Sequence, residues 1–126
     1  MFSDAPILIV EDNLYLALDL SIAVEEMDGR VVGPASRVSE ALTLLATHDV
    51  AAAIVDCHLA DRDALPLARQ LAARKVPFVL HTGTPVPLMF AELHSHASHD
   101  HSPLQELNRT LGQRRRSAAV SNNSSR

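Results

Sequence analysis

Three carboxylates and a hydroxyl stand where three apolar runs of the sequence end. Glu11 and Asp12 follow the first run, Asp56 ends the second, and Thr82 follows the third. Because the carboxyl ends of parallel strands meet at one edge of a sheet, we expect these side chains to lie close together. Carboxylate oxygens suit Mg²⁺ or Mn²⁺, and a carboxylate beside such a metal can attack a phosphoryl group. The spacing therefore predicts a metal site with phosphoryl chemistry.

Alternating strands and helices are predicted to build the sheet that positions these residues. Short apolar runs bounded by polar residues are typical of strands buried on both faces, and Asn13 suits the N-cap of the first helix. Pro34 is expected to end the second strand. One face of the first helix is expected to hold Leu16, Leu20, Ala23, Val24 and Met27. Strands are predicted at 7–10, 30–33, 51–55, 76–80 and 88–93, and helices at 14–27, 38–45, 65–72 and 103–114.

Composition limits the functional classes. The chain has 126 residues, 47% of them hydrophobic, which suits one domain with a real core. A net charge of −4 offers no broad basic field, so no nucleic-acid partner is expected. The sequence has no apolar run long enough to span a membrane, and its N-terminus lacks the pattern of a signal peptide. With one cysteine, Cys57, expected to be a small packed side chain, we expect a cytoplasmic protein without a membrane partner.

Three segments together resemble the receiver (CheY-like) domain of two-component response regulators. They read ILIVEDN at 7–13, AIVD at 53–56 and PFVLHTG at 77–83. The resemblance implies an α/β fold of the flavodoxin-like, doubly wound type, with a parallel five-stranded sheet in the order 2-1-3-4-5. It places the receiver domain at residues 1–116 and leaves 117–126 as a polar tail expected to be disordered.

The resemblance also implies the site. Asp56 is expected to accept a phosphoryl group from a partner sensor histidine kinase, and Thr82 to bind that group as a switch residue. Glu11, Asp12 and Asp56, with the backbone carbonyl of His58, are expected to hold Mg²⁺ or Mn²⁺. The implied function is a single-domain response regulator in phosphorelay signal transduction. It would be no enzyme beyond phosphorylating and dephosphorylating itself.

The chain departs from the family pattern at two places. Receivers carry a lysine at the end of strand 5, whereas the one lysine here, Lys75, precedes strand 4 at the opposite end of the sheet. Counting back from the last helix puts His96 near the lysine's place, with His99 and His101 within reach. In addition, only four residues separate Gly83 from a strand that begins near residue 88, so helix 4 is expected to be absent or shortened.

These departures leave a second interpretation open, a degenerate receiver that acts as a dimeric interaction module without phosphate. A short, stiff connection at 84–87 favours domain swapping. We therefore expect a homodimer, in which strand 5 and the last helix pack on the partner or stay with their own chain. The histidine-rich segment 94–101 is expected to be a polar loop, with a metal cluster as the alternative.

An aspartyl-nucleophile phosphatase of the haloacid-dehalogenase type is a third interpretation, which the residues disfavour. That class requires a second acid two residues after the nucleophile, and His58 occupies this position. It also requires a lysine near a later strand, and none follows Lys75.

Overall fold

The structure is a computed structural model that describes residues 2–57, 59, 61–81 and 96–98. Within these ranges strands and helices alternate from the N-terminus, as the sequence predicts. The elements are β1 (Pro6–Val10), α1 (Leu14–Glu26), β2 (Arg30–Ala35), α2 (Val38–Thr47), β3 (Ala52–Asp56), α3 (Leu65–Ala73), β4 (Phe78–His81) and β5 (His96–Ser98).

The strands form one parallel sheet in the order β2-β1-β3-β4-β5, which is the predicted flavodoxin-like order. In the centre, Val10 of β1 pairs with Val55 of β3. On the next strand, Asp56 pairs with His81. Glu11 and Asp56 therefore follow paired residues on neighbouring strands, and both lie at the carboxyl edge of the sheet.

Both faces of the sheet are buried, as a doubly wound fold requires. Successive residues of a strand point to opposite faces, and the central strands are apolar at both. On one face the sheet packs against α2 and α3, and that cluster includes Leu8, Val10, Val55, Leu67 and Leu71. On the other face it packs against α1, through a smaller cluster that includes Phe2, Ile7, Ile9, Ile54 and Val24.

β2 continues through Pro34 to Ala35, so the prediction that Pro34 ends this strand was wrong. β2 is an edge strand, where a residue without an N–H costs no ladder hydrogen bond. The pairing also shifts between Leu8, opposite Val32, and Val10, opposite Ala35. This irregularity places an extra residue in β2, and Gly33 adopts a φ of 97° there.

Of the five residues predicted for the buried face of α1, Val24 is buried and Leu20, Ala23 and Met27 pack against the smaller core cluster, which confirms the prediction for these four. Ala17, Ser21 and Val24 are buried, whereas Leu16, which was expected inside, is 42% exposed. Because apolar residues also lie outside the inner face of α1, periodicity did not decide between Leu16 and Ala17. Four further apolar side chains of this helix are exposed: Leu14, Tyr15, Leu18 and Ile22.

The fifth strand of the sheet is His96–Ser98, so its predicted position at residues 88–93 was wrong. The expectation of a polar loop at 94–101 was wrong for the same three residues. The connection from β4 is therefore residues 82–95, which is long enough for a parallel crossover of a dozen or more residues. Domain swapping was predicted from a four-residue connection at residues 84–87. The connection between β4 and β5 is longer than that, so this argument for a swap does not apply. Residues 82–95 themselves lie outside the described residues, so the shortened helix 4 stays a prediction.

The predicted last helix at 103–114 and the tail at 117–126 also lie outside the described residues. In the described part of the chain, no helix has the length and apolar character needed to cross a membrane.

Replacing Gly33 with alanine should destabilise the fold. A Cβ atom there would lie 2.8 Å from the backbone nitrogen of Ala35 and 3.1 Å from the carbonyl oxygen of Ile9. It would also occupy a backbone conformation that side chains disfavour, so we expect a loss of about 2 kcal/mol in the free energy of unfolding. Urea unfolding followed by circular dichroism measures it, with Thr43→Ala on the exposed face of α2 as the control. An unchanged midpoint in Gly33→Ala would contradict the close approach.

Candidate metal and phosphoacceptor site

Glu11 is held at the sheet edge by its own backbone. It directly follows β1, and its N–H donates to the carbonyl of Ala35 at the end of β2, at 2.9 Å. Its carboxylate oxygen Oε2 accepts the N–H of Asn13 at 3.0 Å. These two hydrogen bonds fix both the backbone and the side chain of Glu11, whose exposed fraction is only 4%.

Asn13 joins this turn to the first helix. Its side-chain oxygen accepts the N–H groups of Tyr15 at 3.0 Å and Leu16 at 3.2 Å, which confirms the predicted N-cap of α1. Since the backbone of Asn13 binds Glu11 and its side chain begins α1, the acidic turn and the helix form one rigid unit. Asp12, between them, is exposed.

The structure brings together the three predicted metal-binding carboxylates. Asp56, the last residue of β3, is partly buried beside Glu11. One carboxylate oxygen each from Glu11, Asp12 and Asp56 lies within 4.8 Å of the other two. These distances suit a single cation between the three side chains.

The electrostatics of Glu11 favour a cation at this place. Burial raises the pKa of Glu11 to about 8, from an ordinary value of 4.5. The hydrogen bond and charge of Asp56 and the hydrogen bond with Asp12 raise it further, while the Asn13 N–H acts in the opposite direction. Burial and the neighbouring acids disfavour the charged form of this carboxylate, and a positive charge beside it would favour that form. A divalent cation would supply that charge, and the donor set consists of the oxygens that Mg²⁺ or Mn²⁺ prefers.

Two predicted site residues, Thr82 and His58, lie outside the described residues. The chain reaches Thr82 directly after His81, which pairs with Asp56, so the order of strand ends agrees with the prediction. His96 pairs with Val79, two residues before the end of β4. The proposed place of His96 at the carboxyl end of strand 5 was therefore wrong, because the strand continues to Ser98.

Lys75 lies where the sequence placed it, after α3 and before β4, at the amino end of the sheet. Asp56 ends β3 at the carboxyl end. Lys75 and Asp56 therefore lie at opposite ends of the parallel strands.

Cys57 follows Asp56 and is fully buried among the apolar residues of the larger core cluster, consistent with the expected packed side chain. Burial, with a smaller contribution from the charge of Asp56, raises the pKa of its thiol to about 11. The reactive thiolate form is thus strongly disfavoured near neutral pH.

One residue near the site was missed in the sequence. Asp61, in the segment after Asp56, accepts the N–H of Val38 at 2.8 Å and of Ser39 at 3.2 Å, and thereby caps α2. These hydrogen bonds hold the pKa of Asp61 below its ordinary value. The sequence carries one indirect signal, since Arg37 at the N-cap position has no capping side chain.

Comparison with known proteins finds similar solved structures. No protein-family model and no curated protein matches the sequence. Among solved structures, the chain is similar to a CheY-like response regulator receiver domain from Methylobacillus flagellatus, with a TM-score of 0.74 and 22% identity, over 85% of this chain and 98% of that one. It is 30% identical to SdrG from Sphingomonas melonis Fr1, with a TM-score of 0.69, over 88% and 98% of the two chains.

A third similar structure contains a metal ion. It is the receiver domain of the sensor histidine kinase PA1611 from Pseudomonas aeruginosa PAO1, with magnesium coordinated in its active-site cleft. The TM-score is 0.71 at 20% identity, over 86% of this chain and 95% of that one.

The raised pKa of Glu11 predicts a pH-dependent stability. Between about pH 4.5 and 8 the folded protein holds a proton that the unfolded chain has released. The free energy of unfolding should therefore fall as the pH rises through this range, by a few kcal/mol in metal-free buffer. Glu11→Gln keeps the shape without the charge, so its stability should fall less over the same range. The two proteins should differ little near pH 5, and the variant should be the more stable near pH 8.

Urea unfolding in EDTA at several pH values measures this difference, and the comparison of the two proteins subtracts the contribution of the histidines. If the free energies of unfolding of the native protein and of Glu11→Gln changed equally with pH, the raised pKa of Glu11 would be contradicted. Adding Mg²⁺ at pH 8 should stabilise the native protein more than Glu11→Gln, because binding to the folded state raises its stability and the variant lacks one ligand charge.

Proposed function

Because this chain belongs to the CheY-like receiver domains of response regulators, we propose that it accepts a phosphoryl group on Asp56 from a partner sensor histidine kinase. The convergence of Glu11, Asp12 and Asp56 at the sheet edge carries this proposal. In the proposed step an oxygen of Asp56 attacks phosphorus, the bond from phosphorus to the donor imidazole nitrogen breaks, and the imidazole keeps that electron pair. The protein then acts as a single-domain response regulator in a two-component phosphorelay.

Mg²⁺ or Mn²⁺ is the proposed cofactor of this transfer. The three carboxylate oxygens would hold it, with the backbone carbonyl of His58 as a further proposed ligand, and it would neutralise charge on the incoming phosphoryl group. The magnesium-containing receiver of the kinase PA1611 supports this choice of metal. Thr82, next after the strand residue that pairs with Asp56, is the proposed hydroxyl that binds the phosphoryl group and acts as the switch.

The exposed apolar side chains of α1 are the proposed docking surface for the kinase. We define the α1 surface as Leu14, Tyr15, Leu18 and Ile22, which are between 47% and 80% exposed. Leu14, Leu18 and Ile22 follow at intervals of four residues, so they form one row along the helix. The row begins two residues after Asp12, so a partner helix lying along it would reach the acidic site. Burying this row would supply the hydrophobic contact that brings the donor histidine to Asp56.

A degenerate receiver is the second candidate function. It is favoured by the position of Lys75, since the chain's one lysine lies at the opposite end of the sheet from Asp56. In this case the domain would act as a homodimeric interaction module independent of phosphate. With β5 paired to β4 as the structure has it, an ordinary dimer is a simpler form than a swapped one. Light scattering at micromolar concentration tests the homodimer in either form.

Asp56→Asn should abolish phosphorylation by an autophosphorylated kinase in the presence of Mg²⁺, because the neutral amide lacks the carboxylate oxygen that attacks phosphorus. Asp63→Asn makes the same chemical change at an exposed acid of the following loop and should be labelled like the native protein. Radiolabel transfer measures both. Equal labelling of native protein and Asp56→Asn would overturn the phosphoacceptor assignment, and a native protein that no donor labels would favour the second candidate.

Leu18→Gln should slow transfer from the kinase about tenfold, because an apolar contact of roughly 1.5 kcal/mol or more is lost on docking. Labelling by a small donor such as acetyl phosphate should not change, since that donor needs no docking surface. Thr43→Gln, on the exposed side of α2, is the control and should affect neither reaction. If Leu18→Gln slowed both donors equally, the residue would act on the site and not on docking.

A further inference from the structure

Two segments that carry the acids are tied to the same short junction between β2 and α2, residues 35–39. The turn of Glu11 is tied to it through the N–H of Glu11, which donates to the carbonyl of Ala35. The loop after Asp56 is tied to it through Asp61, whose two carboxylate oxygens accept the N–H groups of Val38 and Ser39. The pairing of β1 with β3 holds the same two segments on the other side.

The loop from Asp56 to Asp61 is itself closed by hydrogen bonds. We define the β3–α3 loop as residues 57–64, and its hydrogen bonds and burial are those of the described residues 57, 59 and 61–64. At its base the N–H of Ala64 donates to the carbonyl of Cys57 at 3.0 Å, and at its tip the N–H of Leu59 donates to the carbonyl of Arg62 at 3.2 Å. Cys57, Leu59 and Ala64 are buried, so the loop is packed against the core at both ends. A displacement of Asp61 would therefore be transmitted to the backbone beside Asp56.

Asp61 is the capping group of α2. Arg37 makes no capping hydrogen bond, and the hydroxyl of Ser36 donates instead to Glu40 at 3.0 Å. Hydrogen bonds from N–H groups to a charged carboxylate are stronger than those between neutral groups, and the helix dipole favours a negative charge at this end. Arg37 adds a favourable charge next to Asp61. The two hydrogen bonds of Asp61 thus join α2 to the loop that follows Asp56.

We propose that Asp61 is a positioning residue, which holds the β3–α3 loop on the N-terminus of α2 so that Asp56 stays at metal-binding distance from Glu11 and Asp12. The inference rests on the proposed function, because it specifies how the proposed metal site is held. Asp61 is not one of the three carboxylates that converge at the candidate metal site. It acts through the loop, as residues that orient metal ligands do in other sites.

Mn²⁺ binding to the full chain tests the proposal, measured by the electron paramagnetic resonance of free Mn²⁺ at one fixed pH. Asp61→Ala should weaken the affinity about tenfold, and Asp61→Asn, which keeps one of the two acceptor oxygens, should restore part of it. Thr43→Gly is the control, because a glycine in the exposed middle of α2 lowers stability and removes a side-chain hydrogen bond to the carbonyl of Ser39, while the N–H groups that Asp61 accepts remain. Its thermal midpoint should fall, while its Mn²⁺ affinity stays within twofold of the native value.

Amide hydrogen exchange supplies a readout that does not depend on the metal. The N–H groups of Leu59 and Ala64 should exchange faster in Asp61→Ala than in Thr43→Gly, since their hydrogen bonds close the loop. Native Mn²⁺ affinity in Asp61→Ala, or an equal loss of affinity in Thr43→Gly, would overturn the positioning role and leave the proposed function intact. A native chain that binds no Mn²⁺ would overturn the proposed metal site and this inference together.

Discussion

Repulsion between carboxylates is the constraint on which the candidate site depends. Parallel pairing of β1 and β3 places Glu11 and Asp56 at the same sheet edge, and Asp12 adds a third acid within 4.8 Å. Burial of Glu11, with a further contribution from these neighbouring acids, raises its pKa to about 8 and so favours its protonated form. Three carboxylates that repel one another in this way would be stabilised by a divalent cation between them.

The surrounding structure holds these charges together against their repulsion. Backbone hydrogen bonds tie Glu11 to Ala35, and Asn13 fixes its side chain while beginning α1. On the other strand, the buried side chains of Val55 and Cys57 flank Asp56, and Asp61 anchors the loop that follows. Both faces of the sheet are packed with apolar side chains, so movement of either strand end would disrupt a close-packed core.

The same arrangement relates the site to the surface of α1. The helix starts from the acidic turn through the cap at Asn13, and its exposed Leu14 and Leu18 extend away from the site. A partner that docked on this row, as proposed, would therefore lie beside Asp56, because a single turn separates the two. The proposed docking surface and the candidate site are adjacent because one short segment supplies both Glu11 and Asp12 and the start of the helix.

The sequence by itself determined the features that depend on neighbouring residues along the chain. The apolar runs that end in Glu11, Asp12 and Asp56, the cap at Asn13 and the order of strands and helices are all local patterns. They were sufficient to predict the parallel sheet and the meeting of the three acids, because parallel strands present equivalent ends at one edge.

Only the tertiary structure decided the features that depend on distant residues. It placed β5 at His96–Ser98, continued β2 through Pro34 because that strand lies at the sheet edge, and buried Ala17 in place of Leu16. It also joined Asp61 to Val38 across 23 positions of the chain. Burial, edge position and charge proximity are properties of packed neighbours, and a linear pattern does not specify which neighbours these are.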